Sequence, residues 1–499
     1  MTAPATSSPT DLGARIAAAM AQASAKEPAI DWVTDANRAE RLSRDFAWFS
    51  PVLTRELAGK RADVVARPTT EAQIVAIVGA CAAHAVPITP RGSATGNYGQ
   101  CTPVQGGVLL DLSGYNQLLW QRGGVARAQA GIRMGAMDEQ LRPAGWELRC
   151  VPSTFRSATL GGLFGGGFGG AGSVNFGPMA STGNVLGVRT LTVEGEPKLI
   201  ELRAPEALLL HHVYGTTGIV LELEVGLAPA HAWMEAVASF DDFDAALRFA
   251  DTLAAAPGVV KKSVSLYDIA VCALLAQALP YLADALPAGR HAVPLVLAEA
   301  AEQPMRELLA DHGGTLTWCQ GAAEVIASKR TLIETTWNHT TLHALKVDKG
   351  LTYIQSGFPA GGHLDQVRAL RRRFGDELLV HLEFIRTREG QPTCSGLQML
   401  RYTSDARLNE VMQIHRDHGV GIANPHVWRV EDGKQGAINA EVVATKARFD
   451  PQGLLNPGKL RGWDAREQLL SGASVDAALA ASGQSAASGR PRLATLPTF

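Results

Sequence analysis

The sequence has few of the features that mark secreted, membrane-spanning or nucleic-acid-binding proteins. Its six cysteines are scattered with no C-x-x-C pair, which argues against a disulfide framework or a zinc ribbon and fits a reducing compartment. The formal net charge is −2, so nucleic-acid binding is not expected. No apolar run approaches membrane-spanning length, and the start, MTAPATSSPTDLG, lacks the basic and apolar regions of a signal peptide. We therefore expect a cytoplasmic protein with no membrane span.

Glycine, by contrast, is abundant, with 51 residues and an excess before residue 230. The densest stretch is residues 160–177, LGGLFGGGFGGAGSVNFG. So many glycines disfavour a helix or strand interior, because each loses maximal backbone entropy and packs no side chain. They suit a backbone whose bare amides approach a large, flat, polar ligand. The leucine, phenylalanine and valine residues within the run argue against a flexible linker.

Part of this run matches the G-x-G-x-x-G fingerprint of Rossmann dinucleotide-binding domains. The match covers residues 167–172, and Glu194 lies at about the distance expected of a ribose-binding acid. The fingerprint requires a strand before it and a helix that opens on it, whereas residues 173–178 show no helical apolar periodicity. We therefore expect a different kind of nucleotide-binding loop.

A second loop of small residues belongs to a strand–helix–strand pattern. Residues 62–66, 86–90 and 107–112 read as strands, with an amphipathic helix between the first two. Such a βαβ unit places ligands at its strand ends, where the loop RGSATGNYG (residues 91–99) lies. Successive backbone N–H groups in this loop form a concave anion-binding site, and two hydroxyl side chains add hydrogen-bond donors. A diphosphate is therefore the expected ligand.

The order of several motifs resembles one family. The motifs are PRGSATG (90–96), VPST with TLGG and FGG (151–170), NVLGVRTLTVEG (184–195), YGTTGIVLELEVGLAP (214–229) and RFDPQGLLNPGKL (448–460). Together they resemble the FAD-binding domain of the vanillyl-alcohol oxidase superfamily, nearest the branch that holds the flavin-binding chain of glycolate oxidase and the D-lactate dehydrogenases. The resemblance covers residues 60–230 and 445–461, and ordered motifs make it more specific than a single glycine pattern.

The resemblance implies an α+β fold, in which a PCMH-type FAD-binding domain of two α+β subdomains is joined to an α+β cap domain. It divides the chain into an N-terminal arm and helix (1–57), the FAD-binding domain (58–230), the cap or substrate domain (231–445), a C-terminal segment that returns to the FAD domain (446–464) and a flexible tail (465–499). The Ala/Ser/Thr/Pro-rich residues before position 26 are expected to begin as a flexible arm. Substrate choice should depend on the cap, where the resemblance is weak.

The resemblance also implies which residues contact FAD. Residues 91–96 would hold the pyrophosphate, residues near 152–162 the flavin and ribityl chain, and Ile219 and Val220 the adenine side, while Asn456 and Lys459 close the pocket. The full set is Arg91, Gly92, Ser93, Ala94, Thr95, Gly96, Asn97, Tyr98, Pro152, Ser153, Thr159, Gly161, Gly162, Gly169, Gly170, Phe176, Gly177, Ile219, Val220, Asn456 and Lys459.

The sequence departs from that family in three places. Residues 93–95 lack the histidine of covalently flavinylated members, so we expect noncovalent FAD, with the nearby Cys150 as a buried structural residue. Asn184 stands where the family often has aspartate, which keeps a polar contact without the charge. Residues 380–386, VHLEFIR, lack the D-G-N core of the metal-binding signature H-x-G-D-G-N-x-H, so no catalytic metal is expected.

Three polar clusters in the cap compete for a catalytic role: residues 336–343, 381–386 and 424–429. In the first, His339 and His343 share one face if the segment is helical, as a functional pair or as a surface or core pair. Oxidation of an alcohol at a flavin needs hydride loss to N5 and a base for the hydroxyl proton. The candidate bases are His426 and His339, and the candidate partners of a substrate carboxylate are Arg386, Arg401 and Arg429.

We therefore expect an FAD-dependent oxidoreductase that oxidises a small alcohol or 2-hydroxy acid by hydride transfer to flavin N5. Its electrons would pass to oxygen, a quinone or a carrier protein, and a homodimer is one expected assembly. Three alternatives are an aryl-alcohol or phenol oxidase, a flavin-binding subunit of a glycolate-oxidase-like complex, and a binding module without FAD. Flavin absorbance and its bleaching by substrate distinguish them.

Overall fold

The computed structural model describes residues 9–482 of the chain. These residues form three main β-sheets with helices packed on them, which confirms the predicted α+β class. Within this range, no helix combines the length and the apolar composition needed to cross a bilayer.

The first sheet has four strands in the order β1-β2-β4-β3, in which β2 and β3 run parallel to β4 and β1 runs antiparallel to β2. Its strands are β1 (Asp31–Val33), β2 (Val64–Arg67), β3 (Ile88–Arg91) and β4 (Val108–Asp111). The helices of this part of the chain are α1 (Pro9–Lys26), α2 (Ala36–Leu42), α3 (Pro51–Glu56) and α4 (Glu71–Ala83). Every residue of β4 is buried, as is typical of a parallel strand covered on both faces.

Helix α1 corrects the expectation of a flexible arm over residues 1–25. That expectation is wrong from Pro9 onward, because the alanine-rich stretch carries a helical apolar face. Ile16, Ala19 and Ala23 of this face are buried in the same core as Ile74 of α4. Residues 1–8 lie outside the described residues.

The second sheet is antiparallel, with the order β5-β6-β10-β8-β9 and with β7 paired to the far end of β10. Its strands are β5 (Leu118–Arg122), β6 (Val125–Gln129), β7 (Trp146–Leu148), β8 (Val185–Leu191), β9 (Leu199–Arg203) and β10 (Ile219–Pro229). The helices here are α5 (Met134–Leu141), α6 (Leu160–Gly166) and α7 (Ser173–Phe176). The long strand β10 pairs with three others and therefore organises this sheet.

Helix α6 shows that part of the glycine run is helical, contrary to the expectation from composition. Thr159 caps the helix, because its hydroxyl accepts a hydrogen bond from the Gly162 amide at 3.1 Å. Leu160, Leu163 and Phe164 are buried on one face. The cap and this burial offset the entropic cost of four helical glycines.

The third sheet is antiparallel and has eight strands in the order β14-β11-β13-β12-β18-β19-β16-β21, and a small sheet has the order β15-β20-β17. The strands are β11 (Trp233–Phe240), β12 (Lys261–Tyr267), β13 (His291–Ala298), β14 (Thr315–Gln320), β15 (Leu351–Tyr353), β16 (Gln355–Gly357), β17 (Leu378–Leu379), β18 (His381–Arg386), β19 (Pro392–Gly396), β20 (Met399–Arg401) and β21 (Gly421–Ala423). The helices are α8 (Phe243–Ala255), α9 (Ile269–Ala278), α10 (Glu302–Asp311), α11 (Ala322–Ser328), α12 (Asn338–Val347), α13 (His363–Phe374), α14 (Asp405–Asp417), α15 (Val430–Gly433), α16 (Ala440–Phe449), α17 (Arg466–Leu470) and α18 (Val475–Ala481).

The chain passes from the second to the third sheet between β10, which ends at Pro229, and β11, which begins at Trp233. This passage supports a domain division near residue 230, and the exact boundaries stay a prediction. Residues 378–386 form two short strands divided at Val380, so that β17 and β18 belong to different sheets.

The C-terminal segment returns to the first sheet. Ile88 donates a backbone hydrogen bond to Leu454 at 2.9 Å, and its carbonyl accepts from Asn456 at 2.7 Å, so this segment lies parallel beside β3. The flexible tail predicted from residue 465 is wrong for α17 and α18, because Leu469 and Ala478 are buried in a shared apolar cluster. Residues 483–499 lie outside the described residues.

Candidate active site

A large cavity lies where the three sheets meet. The loop after β3, helix α6 and Val220 of β10 line one part of it. The ends of β16, β19 and β21, together with the starts of α12 and α15, line the other part. The cavity therefore joins the βαβ loop to the third sheet, as expected if both serve one ligand.

The loop after β3 presents six consecutive peptide N–H groups that have no protein acceptor. Among residues 9–482, the amides of residues 92–97 donate to nothing, and the hydroxyls of Ser93 and Thr95 also have no hydrogen-bond partner. Ala94 has a φ of +55°, which turns successive amides toward one side. Since unpaired amides are costly and attract anions, this loop fits a diphosphate group.

Arg91 holds the loop in place from its strand end. Its Nη1 forms an ion pair with Asp111 Oδ2 of β4 at 3.0 Å and also donates to the Gly92 carbonyl at 3.0 Å. The guanidinium lines the cavity, but the carboxylate beside it compensates its charge. The amides of the loop are therefore its main attraction for an anion.

The glycines of α6 serve chain packing more than ligand contact. A Cβ on Gly161 would lie 2.6 Å from Ala130 Cβ, and one on Gly92 would overlap the Thr159 hydroxyl. The Gly161 amide donates to the Ala130 carbonyl at 2.8 Å, so it is not bare. Gly165 differs, because it lines the cavity and a Cβ there would meet nothing within 4 Å.

The predicted FAD contacts divide into two groups. Those that line the cavity are Arg91, Gly92, Ser93, Ala94, Thr95, Gly96, Asn97, Tyr98, Pro152, Ser153, Thr159, Gly161, Gly162, Gly169 and Val220. Those that do not line it are Gly170, Phe176, Gly177, Ile219, Asn456 and Lys459. Ile219 is fully buried in the core because it alternates with Val220 along β10.

The remaining exceptions have structural positions of their own. Phe176 lines a second cavity, between α7 and β12, where Arg149 lies over its ring. Gly170 packs so closely on Val151 that a Cβ would overlap the carbonyl, and Gly177, with a φ of +67°, packs against Ser181. These glycines allow the chain to turn and pack beside the cavity.

Asn456 and Lys459 hold the βαβ loop through hydrogen bonds to backbone carbonyls. Asn456 Nδ2 donates to the carbonyls of Gln100 at 3.0 Å and Tyr214 at 2.7 Å, and Lys459 Nζ donates to the Gly99 carbonyl. The C-terminal segment thereby fixes the backbone that follows the anion-binding loop.

Asp45 brings a negative charge to this junction. Its carboxylate lines the cavity and accepts hydrogen bonds from the amides of Ala47 at 2.9 Å and Gln100 at 3.0 Å. Burial raises the pKa of Asp45, and the attraction of Lys459 opposes that shift. Burial likewise lowers the pKa of Lys459 against the attraction of Asp45, so each charge supports the other.

Neither predicted base lines the cavity. His426 is 3% exposed, with Nδ1 2.8 Å from the Ser50 hydroxyl and Nε2 2.7 Å from the Tyr353 carbonyl. His339 Nδ1 lies 3.1 Å from the Glu334 carbonyl, which His343 Nε2 also approaches at 3.2 Å. His426 therefore has a protein partner on each ring nitrogen, whereas His339 has one on Nδ1.

The predicted arginines also lie away from the cavity lining. Arg386 donates to the Gly390 carbonyl at 2.7 Å within its own hairpin. Arg401 forms an ion pair with Asp348 at 2.6 Å, and its side chain is 71% exposed. Arg429 lies over the Trp428 ring at 4.9 Å. The structure does not bring these groups together.

Sequence reasoning missed several polar residues that line the third-sheet part of the cavity. They are Asn338, Gln355, Ser356, Ser395, Asn424 and Lys434. The Tyr98 hydroxyl donates to Gln355 Oε1, and Gln355 Nε2 lies 3.4 Å from Asn338 Oδ1, so the βαβ loop and the third sheet share one network. Asn338 and Asn424 lay within predicted polar clusters, whereas no sequence signal pointed to the others.

Trp337 forms an apolar wall of the cavity and is supported by a buried hydrogen-bonded pair of side chains, His381 and Glu383. Its amide donates to Glu383 Oε1 at 2.7 Å, and its φ is +52°, which is rare for a bulky residue. The same oxygen lies 2.7 Å from His381 Nε2, and Ser265 donates to the other oxygen at 2.7 Å. His381 and Glu383 are 0% and 1% exposed, so they act behind the wall.

No cluster of three or more His, Cys, Asp and Glu side chains suited to a metal occurs between residues 9 and 482. Cys150 is buried 3.5 Å from the Ser173 hydroxyl and does not line the cavity. Burial raises the pKa of Cys150 to about 11, so it stays a thiol near neutral pH. Cys101 lines the cavity, and burial raises its pKa to about 12.

The geometry defines a cavity between a βαβ loop with unpaired amides, which suits an anionic group, and the antiparallel third sheet. Comparison with protein families makes this class specific, because residues 62–200 match the FAD binding domain and residues 413–460 match the C-terminal domain of FAD linked oxidases. The two matches meet where residues 454–456 lie beside β3. The chain thus carries both domains found in FAD linked oxidases and is an oxidoreductase with FAD as its cofactor.

Individual relatives agree with this assignment. Glycolate oxidase subunit GlcD of Bacillus subtilis is 26% identical over 446 residues, which cover 82% of this chain and 91% of that protein. D-lactate dehydrogenase of Anaerostipes hadrus is 27% identical over 184 residues, covering 34% of this chain and 37% of that protein. A solved alkyldihydroxyacetonephosphate synthase shares the fold with a TM-score of 0.64 at 15% identity, covering 92% of this chain and 87% of that one.

Proposed function

We propose that the chain oxidises a small 2-hydroxy acid to the 2-oxo acid, with transfer of a hydride from the carbinol carbon to flavin N5. The names of the Bacillus subtilis and Anaerostipes hadrus relatives support this substrate class. The observation that carries the proposal is the shape of the cavity, which continues from an anion-binding loop to a separate end with several hydrogen-bonding side chains. A small polar substrate fits that end.

The unpaired amides of residues 92–97, with the hydroxyls of Ser93 and Thr95, are the proposed holders of the FAD diphosphate. Pro152, Ser153 and Gly169 line the same cavity and are proposed to contact the remainder of the cofactor. When bound, FAD supplies the two-electron acceptor of the reaction. Noncovalent binding is proposed because residues 93–95 have no histidine and the high pKa of Cys101 keeps its thiol protonated.

Side chains at the third-sheet end are proposed to bind and orient the substrate. The amides of Asn338, Gln355 and Asn424 offer both donors and acceptors for a hydroxyl and a carboxylate. Trp337 excludes water from one side. His426 and His339 stay the predicted bases for the hydroxyl proton of the substrate, and neither of them lines the cavity in this structure.

The test is an anaerobic titration of the purified yellow protein with glycolate, D-lactate, L-lactate, 2-hydroxyglutarate and benzyl alcohol. We expect at least one 2-hydroxy acid to bleach the flavin absorbance, with formation of the matching 2-oxo acid. Bleaching by benzyl alcohol alone would support the aryl-alcohol alternative and reject the proposed substrate class.

A second candidate is a flavin-carrying subunit of a larger oxidase. The specific observation in its favour is that the Bacillus subtilis relative, matched over 91% of its length, is named a subunit. The same titration distinguishes the two, because such a subunit holds FAD but is reduced by no acid until partner chains are added. Purification of the tagged chain from its own cells then recovers those partners.

A further inference from the structure

Lys434 is a cavity-lining residue that neither the sequence motifs nor the family matches single out. It follows α15 directly and is one of the residues that line the cavity. The Asn424 amide donates to the Gly433 carbonyl at 3.1 Å, which ties this turn to the end of β21. Lys434 therefore belongs to the third-sheet end of the cavity.

The ammonium group of Lys434 has no carboxylate partner within the described range of the chain, residues 9–482. The acidic residues beside it are engaged elsewhere. Glu431 accepts hydrogen bonds from the amides of Arg461 and Gly462, each at 2.8 Å, and Asp432 is paired with the Arg461 guanidinium. A cation in the wall of a cavity is thus left uncompensated.

A second uncompensated cation lies nearby. Arg388, in the turn between β18 and β19, makes no ion pair with any described carboxylate, and its Nε is buried without a hydrogen-bond partner. Burial lowers the pKa of Lys434, Glu431 opposes this shift, and the positive charge of Arg388 adds to it. Two neighbouring cations that make no ion pair raise the free energy of the folded state, which a bound anion would relieve.

This charge lies away from the diphosphate loop. Gly92 packs against Thr159 at the start of α6, whereas the amides of His212 and Tyr214 bond to the carbonyls of Phe164 and Gly165 near its end. Since α6 has seven residues, its two ends are about 10 Å apart. Burial and then the charge of Lys434 lower the pKa of His212 to about 3, so Lys434 acts at the far end of α6.

We infer that Lys434, reinforced by Arg388, binds the carboxylate of the substrate at the third-sheet end of the cavity. The inference rests on the proposed function and deepens it by assigning the group that selects acids over neutral alcohols. An ammonium in this wall forms a charge-assisted hydrogen bond with a carboxylate, which is stronger than a hydrogen bond between neutral groups. The predicted partners Arg386 and Arg401 line no part of the cavity.

The experiment compares holoenzymes of the wild type and of Lys434→Gln, Lys434→Arg and Arg388→Gln, with the exposed Lys349→Gln as control. Oxalate, a carboxylate that donates no hydride, is titrated against the flavin absorbance to give Kd. The KM for lactate is measured beside that for 1,2-propanediol, its neutral analogue. FAD content and thermal unfolding are recorded for every variant.

For Lys434→Gln we expect an oxalate Kd and a lactate KM raised about 10- to 100-fold, as for the loss of a hydrogen bond to a charged group. The KM for 1,2-propanediol should change little, so selectivity for the acid falls. Arg388→Gln should show a smaller loss, Lys434→Arg should retain most binding, and Lys349→Gln should match the wild type.

Three outcomes would overturn the inference. An unchanged oxalate Kd in Lys434→Gln shows that the carboxylate binds elsewhere. A loss of FAD with unchanged acid selectivity assigns Lys434 to the cofactor. If Lys434→Gln and Lys434→Arg both lose oxalate binding and both have a lowered melting temperature, the role of Lys434 is structural. If instead no 2-hydroxy acid reduces the wild type, the proposed function fails, whereas the oxalate titration still reports whether Lys434 binds a carboxylate.

Discussion

His426 illustrates how hydrogen bonding limits what a single side chain can do. A carbonyl oxygen can only accept, so Nε2 facing Tyr353 carries the proton, and Nδ1 accepts from the Ser50 hydroxyl. Ser50 in turn caps α3, because its oxygen accepts from the Leu53 amide at 3.1 Å. The ring thus connects α3 to β15 in its neutral form.

The pH dependence of stability should reveal this neutral ring. Burial lowers the pKa of His426 to about 4, below the value of about 6.5 expected in an unfolded chain. Between these values the unfolded chain binds the extra proton, so the free energy of unfolding falls as the pH falls from about 6.5 to 4. His426→Gln should be less stable at pH 7 by about 1–3 kcal/mol and should show a shallower fall.

Urea unfolding at several pH values measures both effects. The exposed His418→Gln serves as the control and should keep the wild-type slope. A wild-type slope in His426→Gln would mean that the ring is not held neutral by burial.

Glu383 is a second residue that acts through a neighbour, because it affects the cavity through Trp337. Glu383→Gln replaces one acceptor oxygen with an amide, so one of its three donors, Trp337, His381 or Ser265, faces an NH2 group. We expect a loss of about 1–3 kcal/mol in the free energy of unfolding. If the Trp337 amide loses its acceptor, the ring shifts in the cavity wall and the quenching of bound flavin fluorescence should also change, which the fluorescence spectrum measures.

Glu389→Gln, on the exposed turn after β18, is the matched control for Glu383→Gln. It should change neither stability nor flavin fluorescence. A Glu383→Gln variant with an unaltered fluorescence spectrum would show that Trp337 does not depend on this carboxylate.

At the scale of single elements, helix α6 shows what composition could and could not predict. The glycine content was interpreted as close approach of the backbone to a ligand, whereas Gly161 and Gly92 sit where a Cβ would overlap neighbouring chain. It did not indicate a helix, because propensity ignores the Thr159 cap and the burial of Leu163 and Phe164. Unpaired backbone amides were predicted for two loops. The second of these loops contains α6, and the amides of its first turn instead donate hydrogen bonds to protein groups.

Two alanine substitutions in α6 distinguish an effect on helix stability from an effect on the space available to a ligand. Gly165→Ala adds a methyl group where nothing lies within 4 Å and improves helix propensity, so the apo protein should gain about 0.5–1 kcal/mol. If FAD occupies the space in front of Gly165, its affinity should fall. Gly161→Ala should instead destabilise the apo protein by about 1–3 kcal/mol through overlap with Ala130.

Urea unfolding of the apo proteins and titration with FAD, followed by flavin fluorescence, measure the two quantities separately. Tighter FAD binding by Gly165→Ala would place the cofactor away from α6. A stable Gly161→Ala would mean that the contact between α6 and Ala130 is loose.

At the scale of the whole molecule, the sequence predicted the FAD-binding part better than the cap. The βαβ strands and β10 have local patterns of alternation and turns, and their motifs have a fixed order. The cap side of the cavity is built from residues far apart in sequence, such as Gln355, Ser395 and Lys434. Nothing local distinguishes these residues, because they meet only when eight strands pair in a non-sequential order.

The closing contact of the C-terminal segment gives a test at this scale. In Asn456→Asp, a carboxylate oxygen replaces the NH2 group that donates to the Gln100 and Tyr214 carbonyls, so three acceptors meet with no proton between them. We expect Asn456→Asp to be less stable than Asn456→Ala and to retain less FAD, with a loss of about 2–4 kcal/mol in unfolding free energy.

Asn116→Asp, at an exposed turn, is the control, since its amide donates only to the nearby Ser113 carbonyl. Thermal unfolding and the ratio of flavin to protein absorbance after gel filtration measure the effect. Equal stability of Asn456→Asp and Asn456→Ala would show that the segment is not anchored by these two hydrogen bonds.

The sequence positions of the cavity residues also determine at which point of synthesis the cavity can form. The wall begins at Asp45 and includes Lys434, and its anion loop is braced from Asn456 and Lys459. A ribosome must therefore release the chain through Lys459 before the cavity and the contacts that brace its loop can all form. Chains that end before this residue are expected to lack the yellow absorbance of bound flavin.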